Sequence, residues 1–129
     1  MLLAVPATND YLGVLRTATA GLAARLQFTL DEIEDLRIAV DEACALLVAV
    51  AADESELACR FTVTGDVLII EVTVQAAENH PQLPSGESFA WQVLGALADD
   101  VTRRVSEGEA AIRLVKSRPA GTELAYSTD

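Results

Sequence analysis

Apolar residues repeat along the chain with two periods, which predict strands and helices in a defined order. Recurrence every three or four positions indicates amphipathic helices, and short β-branched or alternating runs indicate strands. The expected elements are a strand at 2–6, helices at 8–26 and from 29 to about 50, strands at 56–64 and 67–74, a helix at 88–98, and strands at 101–105 and 110–115. This β-α-α-β-β-α-β-β order predicts an α/β two-layer sandwich with helices on one face of the sheet.

Local signals mark the ends of these elements. Residues 8–10 offer side-chain oxygens that would cap the first helix, and Thr29 with Glu32 has the spacing of a capping box for the second. Gly65-Asp66 and Glu107-Gly108 suit the tight turns of two hairpins. A loop is expected from Gln75 to Gly86, where Pro, Asn and Gly interrupt both periods.

Each helix has one face that is expected to meet the core. The predicted core-facing positions are Tyr11, Leu15, Ala18, Leu22 and Leu26 in the first helix, Ile33, Leu36, Val40, Cys44 and Leu47 in the second, and Phe89, Val93 or Leu94, and Leu97 in the third. Arg16 lies off the first of these faces, where it is either a solvated surface residue or free to meet a partner. Trp91 is expected to anchor the core.

Length and composition predict a single domain. A chain of 129 residues, 51% hydrophobic, suits one two-layer core, which we expect over 1–116, followed by a polar tail over 117–129. The formal charge of −11 disfavours direct nucleic-acid binding; it either attracts basic protein surfaces or only keeps the protein in solution. With no membrane-spanning run and no signal-peptide features, a cytoplasmic protein without membrane contact is expected.

Common catalytic and metal-binding templates are missing from the sequence. Cys44 and Cys59 lack metal-ligand spacing and are expected to be reduced, buried thiols, so no metal site is expected. His80 stands in the proline-flanked loop with no nucleophile beside it. Glu42 is the one candidate general base, because it lies between apolar neighbours inside the second helix; a carboxylate on the wet side of that helix is the alternative.

Two segments resemble the RsbW-type anti-sigma factors, homologues of serine kinases with the histidine-kinase-like ATPase (Bergerat) fold of the GHKL group. Residues 29–32 followed by 36–44 look like that family's capped second helix, and residues 89–101 are especially similar to actinobacterial members. The two segments occur in the family's order, and the element order matches over roughly 2–116. The resemblance implies a mixed, mainly antiparallel sheet covered on one face by helices.

The resemblance also implies where a metal would be held. In active members a helix glutamate acts as base toward a serine, and an asparagine four residues later binds Mg²⁺. The matching positions here are Glu42 and Leu46. A leucine side chain cannot coordinate a hard cation, which takes oxygen ligands.

Two further parts of the family's nucleotide site are altered. The D-x-G-x-G motif aligns with a segment that has no carboxylate at the adenine-reading position and has Ala76 and Glu78 at the glycine positions. The G-x-G that opens the last helix is replaced by Ser88, Phe89 and Ala90, and a phenylalanine blocks an approach that glycine permits. We therefore expect a degenerate nucleotide site, with no required cofactor and no kinase activity.

By this resemblance the chain is expected to sequester an alternative sigma factor and to be released by a STAS-type anti-anti-sigma protein. A first-helix arginine of relatives contacts these partners, and Arg16 matches it; relatives act as dimers, so a homodimer is expected. The enzymatic alternative is a Mg-ATP-dependent serine kinase that phosphorylates the antagonist, with Glu42 as base. A third possibility is a ligand sensor with an apolar pocket lined by Leu46, Ala76 and Phe89.

Overall fold

The computed structural model describes residues 1–78, 83–84 and 87–118, and this part of the chain folds in the predicted order. A 3-10 turn at Asn9–Tyr11 precedes the first α-helix. The elements are β1 (Leu2–Pro6), α1 (Leu12–Arg25), α2 (Leu30–Val50), β2 (Glu56–Thr64), β3 (Val67–Gln75), α3 (Phe89–Leu97), β4 (Asp100–Ser106) and β5 (Glu109–Ser117).

The strands form one five-stranded sheet in the order β1-β2-β3-β5-β4. Its four pairings are all antiparallel, in line with the mainly antiparallel sheet that was predicted. The central strand β3 alternates strictly, and Leu68, Ile70, Val72 and Val74 are buried. Helix α2 contacts β2, β3 and β5, and both α1 and α3 contact α2. The predicted two-layer sandwich with one helix-covered face is confirmed.

Helix α2 is the central helix of this layer, and it begins as the sequence predicts. The Thr29 hydroxyl accepts a hydrogen bond from the Glu32 amide at 3.2 Å, and the Glu32 carboxylate accepts one from the Thr29 amide at 2.7 Å. This capping box satisfies amides that the first helical turn leaves without partners. Residues of one face of α2 are buried: Leu36, Ala39, Val40, Ala43, Cys44, Leu47 and Val50.

Helix α1 begins later and turns a different face to the core than predicted. Because the chain first makes the 3-10 turn, the helix starts at Leu12, and the buried residues are Leu12, Leu15, Thr19 and Ala23. Tyr11 is 42% exposed, so its assignment to the core was wrong. The Thr8 carbonyl, not its hydroxyl, accepts the Tyr11 amide at 3.2 Å. Thr19 is tolerated inside because its hydroxyl donates to the Leu15 carbonyl at 2.8 Å.

Several boundaries differ from the prediction. Strand β3 includes Gln75, which was expected to begin the loop, and β5 extends to Ser117 because the strand pairs with β3 along its whole length. Phe89, expected on the core face of α3, is 81% exposed, whereas Leu94 is fully buried. His80 and most of the predicted tail lie outside the described residues. Among the residues that are described, no helix is long and apolar enough to cross a membrane.

The two cysteines are buried, as predicted. Cys44 on α2 and Cys59 on β2 are both free thiols with no exposed surface. Burial raises the pKa of Cys59 to about 12 and raises the pKa of Cys44 as well, with a smaller contribution to Cys44 from the charge of Cys59. Both side chains therefore stay neutral in the folded protein near neutral pH.

Candidate functional site

Helix α2 carries the first two residues of the site that the sequence pointed to. Glu42 is half-buried in the second half of the helix, and Leu46, one turn later, packs partly buried against the hydrophobic core. A side chain in that position contributes apolar contact area to the core rather than a polar atom to a ligand. Within the part of the chain that the structure describes, no group of three or more His, Cys, Asp or Glu side chains could hold a metal ion.

The end of β3 is tied to the end of α2. The Ala77 amide donates to the carbonyl of Val50 at 2.9 Å, and the Ala76 amide donates to the carbonyl of Gly108 at 2.7 Å. The structure thus brings the segment of Ala76 next to the end of the helix that carries Leu46. Because these amides already have protein partners, they are not free for a ligand in this arrangement.

Val74 and Glu78 lie on either side of this junction. Val74, which stands where an adenine-reading aspartate would be, is 2% exposed and belongs to the core-facing row of β3. A valine has no atom that accepts a hydrogen bond from an adenine amino group. Glu78, at the second glycine position, is exposed beyond the end of the strand.

The start of α3 is closed by its own cap. Ser88 is the N-cap residue, and its hydroxyl accepts a hydrogen bond from the Trp91 amide at 3.2 Å. An amide that a phosphate would otherwise meet at this helix start is therefore occupied. Phe89, the first residue of the helix, is exposed, and Ala90 follows it in the first turn. Since Phe89 is exposed, it does not line an enclosed apolar pocket of the kind a ligand sensor would need.

These residues do not fit Mg-ATP, the nucleotide that the fold implies. Binding it would take an oxygen ligand for the metal, an acceptor for the adenine amino group and free amides for the phosphates. At the places that the resemblance assigns to these groups, the chain has Leu46, Val74 and the self-capped Ser88. We therefore derive no phosphoryl-transfer step for Glu42.

Arg103 adds a contact beside this region that the sequence did not point to. From β4 its guanidinium donates to the carbonyls of Leu83 and Pro84 at 2.9 and 2.6 Å, and its central carbon lies 5.8 Å from the centre of the Trp91 ring. Leu83 itself is 5% exposed. The chain just before α3 is thereby held against α3 and β4. An arginine on an edge strand carries no sequence signal for such a role.

Arg16, the predicted partner-binding residue, lies on α1 and reaches across to α2. Its Nη1 is 3.4 Å from Oδ1 of Asp41, and both side chains are 41% exposed. A Cβ added at Gly13, one turn earlier, would fall 3.3 Å from Nη2 of the arginine, so the glycine leaves room for the guanidinium. The sequence did not predict this ion pair, and the guanidinium is still half open to solvent.

Comparisons with known proteins agree with the fold and the residue pattern. A family model described as a histidine kinase-like ATPase domain matches residues 5–116. The chain is 45% identical over 71 residues to the serine-protein kinase RsbW of Bacillus subtilis, which covers 53% of this chain and 44% of that protein. It is 35% identical over 97 residues to the anti-sigma-F factor RsbW of Mycobacterium tuberculosis, covering 75% and 56%. The chain therefore spans about half the length of the curated relatives it matches.

Solved structures support the same fold. The RsbU and RsbW domains of a Mycobacterium tuberculosis protein superpose with a TM-score of 0.68 at 18% identity, covering 93% of this chain and 34% of that one. A histidine kinase from Burkholderia phymatum superposes with a TM-score of 0.55 at 14% identity, covering 92% and 72%. Identities this low support the fold alone, and the family assignment rests on the family model and the sequence relatives. The chain belongs to the histidine kinase-like ATPase domain family, as a member of RsbW type.

Proposed function

We propose that this protein is an anti-sigma factor that binds and sequesters an alternative sigma factor without using nucleotide. The relatives named as an anti-sigma-F factor and a serine-protein kinase, both RsbW, support this class of function. A STAS-type anti-anti-sigma protein would release the sigma factor by competing for the same surface. A protein with this function acts in the cytoplasm, where transcription takes place.

One observation carries the choice of binding over catalysis. The positions that would serve metal, adenine and phosphate are Leu46 in the core layer, the buried Val74 and the self-capped Ser88. Loss of three groups of polar contacts would weaken nucleotide binding by several kcal/mol, about 1–3 for each buried polar partner left unsatisfied. A retained Glu42 has no phosphoryl group to act on in such a site.

The proposed partner surface includes α1 and the adjacent face of α2, with Arg16 as its central cation. A planar guanidinium pairs with carboxylates through two parallel bonds, which suits recognition of a protein side chain. The net charge of −11 favours basic regions of the partner and disfavours direct contact with nucleic acid. We further propose a homodimer, as is usual for relatives.

Direct titration of sigma factors tests this function. Each alternative sigma factor of the source organism is produced and titrated against the chain by calorimetry, and one of them is expected to bind stoichiometrically. Arg16→Ala should weaken that binding by about tenfold or more, as for loss of a charged interface hydrogen bond. Arg113→Ala, at an exposed position on β5 outside the proposed surface, is the matched control. The proposal fails if no alternative sigma factor binds.

The kinase alternative keeps two supporting observations, the retained Glu42 half-buried on α2 and the relative named as a serine-protein kinase. Calorimetry with Mg-ATP is expected to give no binding at micromolar nucleotide, and labelled ATP is expected to transfer no phosphate to the STAS-type antagonist. Transfer that is present in the native chain and lost in Glu42→Gln would establish the kinase instead.

A further inference from the structure

The ion pair between Arg16 and Asp41 is a loose one. It consists of a single contact of 3.4 Å between half-exposed groups, whereas the Arg37–Glu34 pair on α2 closes to 2.9 Å at similar exposure. Charge-assisted N–H to carboxylate bonds normally measure about 2.7–2.9 Å. Arg16 is therefore held near Asp41 without the two-bond geometry that its guanidinium can make.

The surroundings of this pair are suited to exchange of the carboxylate. Gly13 leaves open the space beside Nη2 of Arg16, since even a methyl group there would come within 3.3 Å of that nitrogen. The Arg16 and Asp41 side chains are each 41% exposed, so an incoming group can reach the guanidinium from solvent. Asp41 belongs to α2, whose backbone is held by the capping box and by core packing, so the carboxylate stays in place when the arginine leaves.

We propose that Asp41 is an internal competitor that occupies Arg16 until a carboxylate of the protein partner replaces it. This inference rests on the proposed function, because it assumes that Arg16 contacts the sigma factor. The partner group is an Asp or Glu side chain at the sigma factor's surface, which forms the two-bond pair that Asp41 does not. Asp41 thereby lowers the affinity for the partner and excludes surfaces that lack a well-placed acid.

The size of the effect follows from the exposure of the pair. Half-exposed ion pairs contribute little, so release of Arg16 from Asp41 should tighten binding by about two- to fivefold. Gly13→Ala should change the affinity by a comparable factor, because it displaces the guanidinium from its present position.

The test compares five forms of the chain, the native one, Arg16→Ala and the three variants below, by titration with the recombinant alternative sigma factor that binds the native chain, at 0.15 M salt. Asp41→Asn is expected to bind two- to fivefold more tightly. Glu56→Gln removes the same charge from an exposed position on β2, outside the proposed partner surface, so it is the matched control and should change the affinity less than 1.5-fold. The double variant Arg16→Ala/Asp41→Asn should bind no more tightly than Arg16→Ala, because no arginine is left for Asp41 to hold.

The possible results separate the inference about Asp41 from the proposed function. If Arg16→Ala weakens binding while Asp41→Asn does not strengthen it, Asp41 is no competitor and the proposed function stands. If Glu56→Gln strengthens binding as much, or the gain persists without Arg16, general charge repulsion explains the effect and the inference is wrong. If Arg16→Ala binds like the native chain, Arg16 is no partner contact and the inference also falls. Absence of any sigma-factor binding overturns the proposed function itself. Circular dichroism checks that every variant is folded.

Discussion

Arg103 and Trp91 link two consecutive elements, β4 and α3, through a cation–π contact. The guanidinium of Arg103 on β4 lies over the indole of Trp91 on α3, 5.8 Å from the ring centre. Its hydrogen bonds to the Leu83 and Pro84 carbonyls fix the chain just before α3. Leu83, whose carbonyl is one of these two acceptors, is itself buried in the core.

Arg103→Ala should loosen that segment and lower the free energy of unfolding by about 1 kcal/mol, the usual size of a partly exposed cation–π contact. Trp91 is the chain's only tryptophan, so acrylamide quenching of its fluorescence reports the change directly. Quenching should increase in Arg103→Ala. Arg104→Ala, on the next residue, removes the half-exposed pair with Glu109 and a 3.5 Å hydrogen bond to the Ser106 hydroxyl, both within the β4–β5 hairpin, and should leave quenching unchanged. Equal quenching in all three proteins would contradict the structural role of Arg103.

Truncation of two leucines of α2 should affect stability to very different extents. Leu47 is fully buried, so Leu47→Ala should cost about 2–5 kcal/mol of unfolding free energy through lost burial and a remaining cavity. Leu30 is 85% exposed, and Leu30→Ala should change stability by less than about 0.5 kcal/mol. Urea denaturation followed by circular dichroism measures both; a small cost at Leu47 would show that the core is packed differently.

Two glycines should give changes of opposite sign. Gly21 lies in α1 with nothing within 4 Å of an added Cβ, so Gly21→Ala should stabilise the protein by about 0.5–1 kcal/mol. Gly65, in the turn between β2 and β3, has φ +60, which strains other residues, so Gly65→Ala should destabilise it by about 1 kcal/mol. Thermal unfolding compares them. A destabilising Gly21→Ala would indicate that this face of α1 is covered by another molecule.

The buried thiols predict a loss of stability in alkaline solution. Burial raises the pKa of Cys59 to about 12 and raises that of Cys44, while in the unfolded chain both thiols ionise near pH 9. Above that pH the unfolded state holds fewer protons than the folded state, so the free energy of unfolding falls as pH rises. The stabilisation is complete below about pH 8 and is lost progressively toward pH 12.

The matched comparison uses Cys44→Ala/Cys59→Ala, which retains every other titrating group. Between pH 8 and pH 10 the native chain should lose about 1–3 kcal/mol more than this variant, at about 1.4 kcal/mol per pH unit and thiol. Urea denaturation at the two pH values measures the free energy of unfolding of each protein. Parallel losses in both proteins would show that the thiols ionise freely in the folded state.

Much of the fold was predictable because it depends on local patterns. The capping box at Thr29 and Glu32 acts within one helical turn, and the alternation in β3 follows from its own residue order. The start of α1 was not predictable, since the 3-10 turn at Asn9–Tyr11 shifts the buried face, and Thr19 can be buried only because Leu15 accepts its hydroxyl. Phe89 looked like a core residue because its spacing suits one.

The candidate site likewise has features that the sequence showed and contacts that only the fold reveals. The leucine at position 46, where the resemblance places a metal ligand, is a matter of residue type and was visible in the sequence. The pairing of Arg16 with Asp41 was not, because it joins groups 25 positions apart. The hydrogen bonds that Arg103 donates to the carbonyls of Leu83 and Pro84 were not visible in the sequence either.

The amino-acid order alone predicted the succession of strands and helices, because periodicity and caps act over a few neighbouring positions, and its resemblance to RsbW-type proteins pointed to the family. Only the tertiary structure decided which arginines have partners, which face of α1 is buried and how the end of β3 closes on α2. These features depend on packing between distant segments, whose geometry no local pattern records.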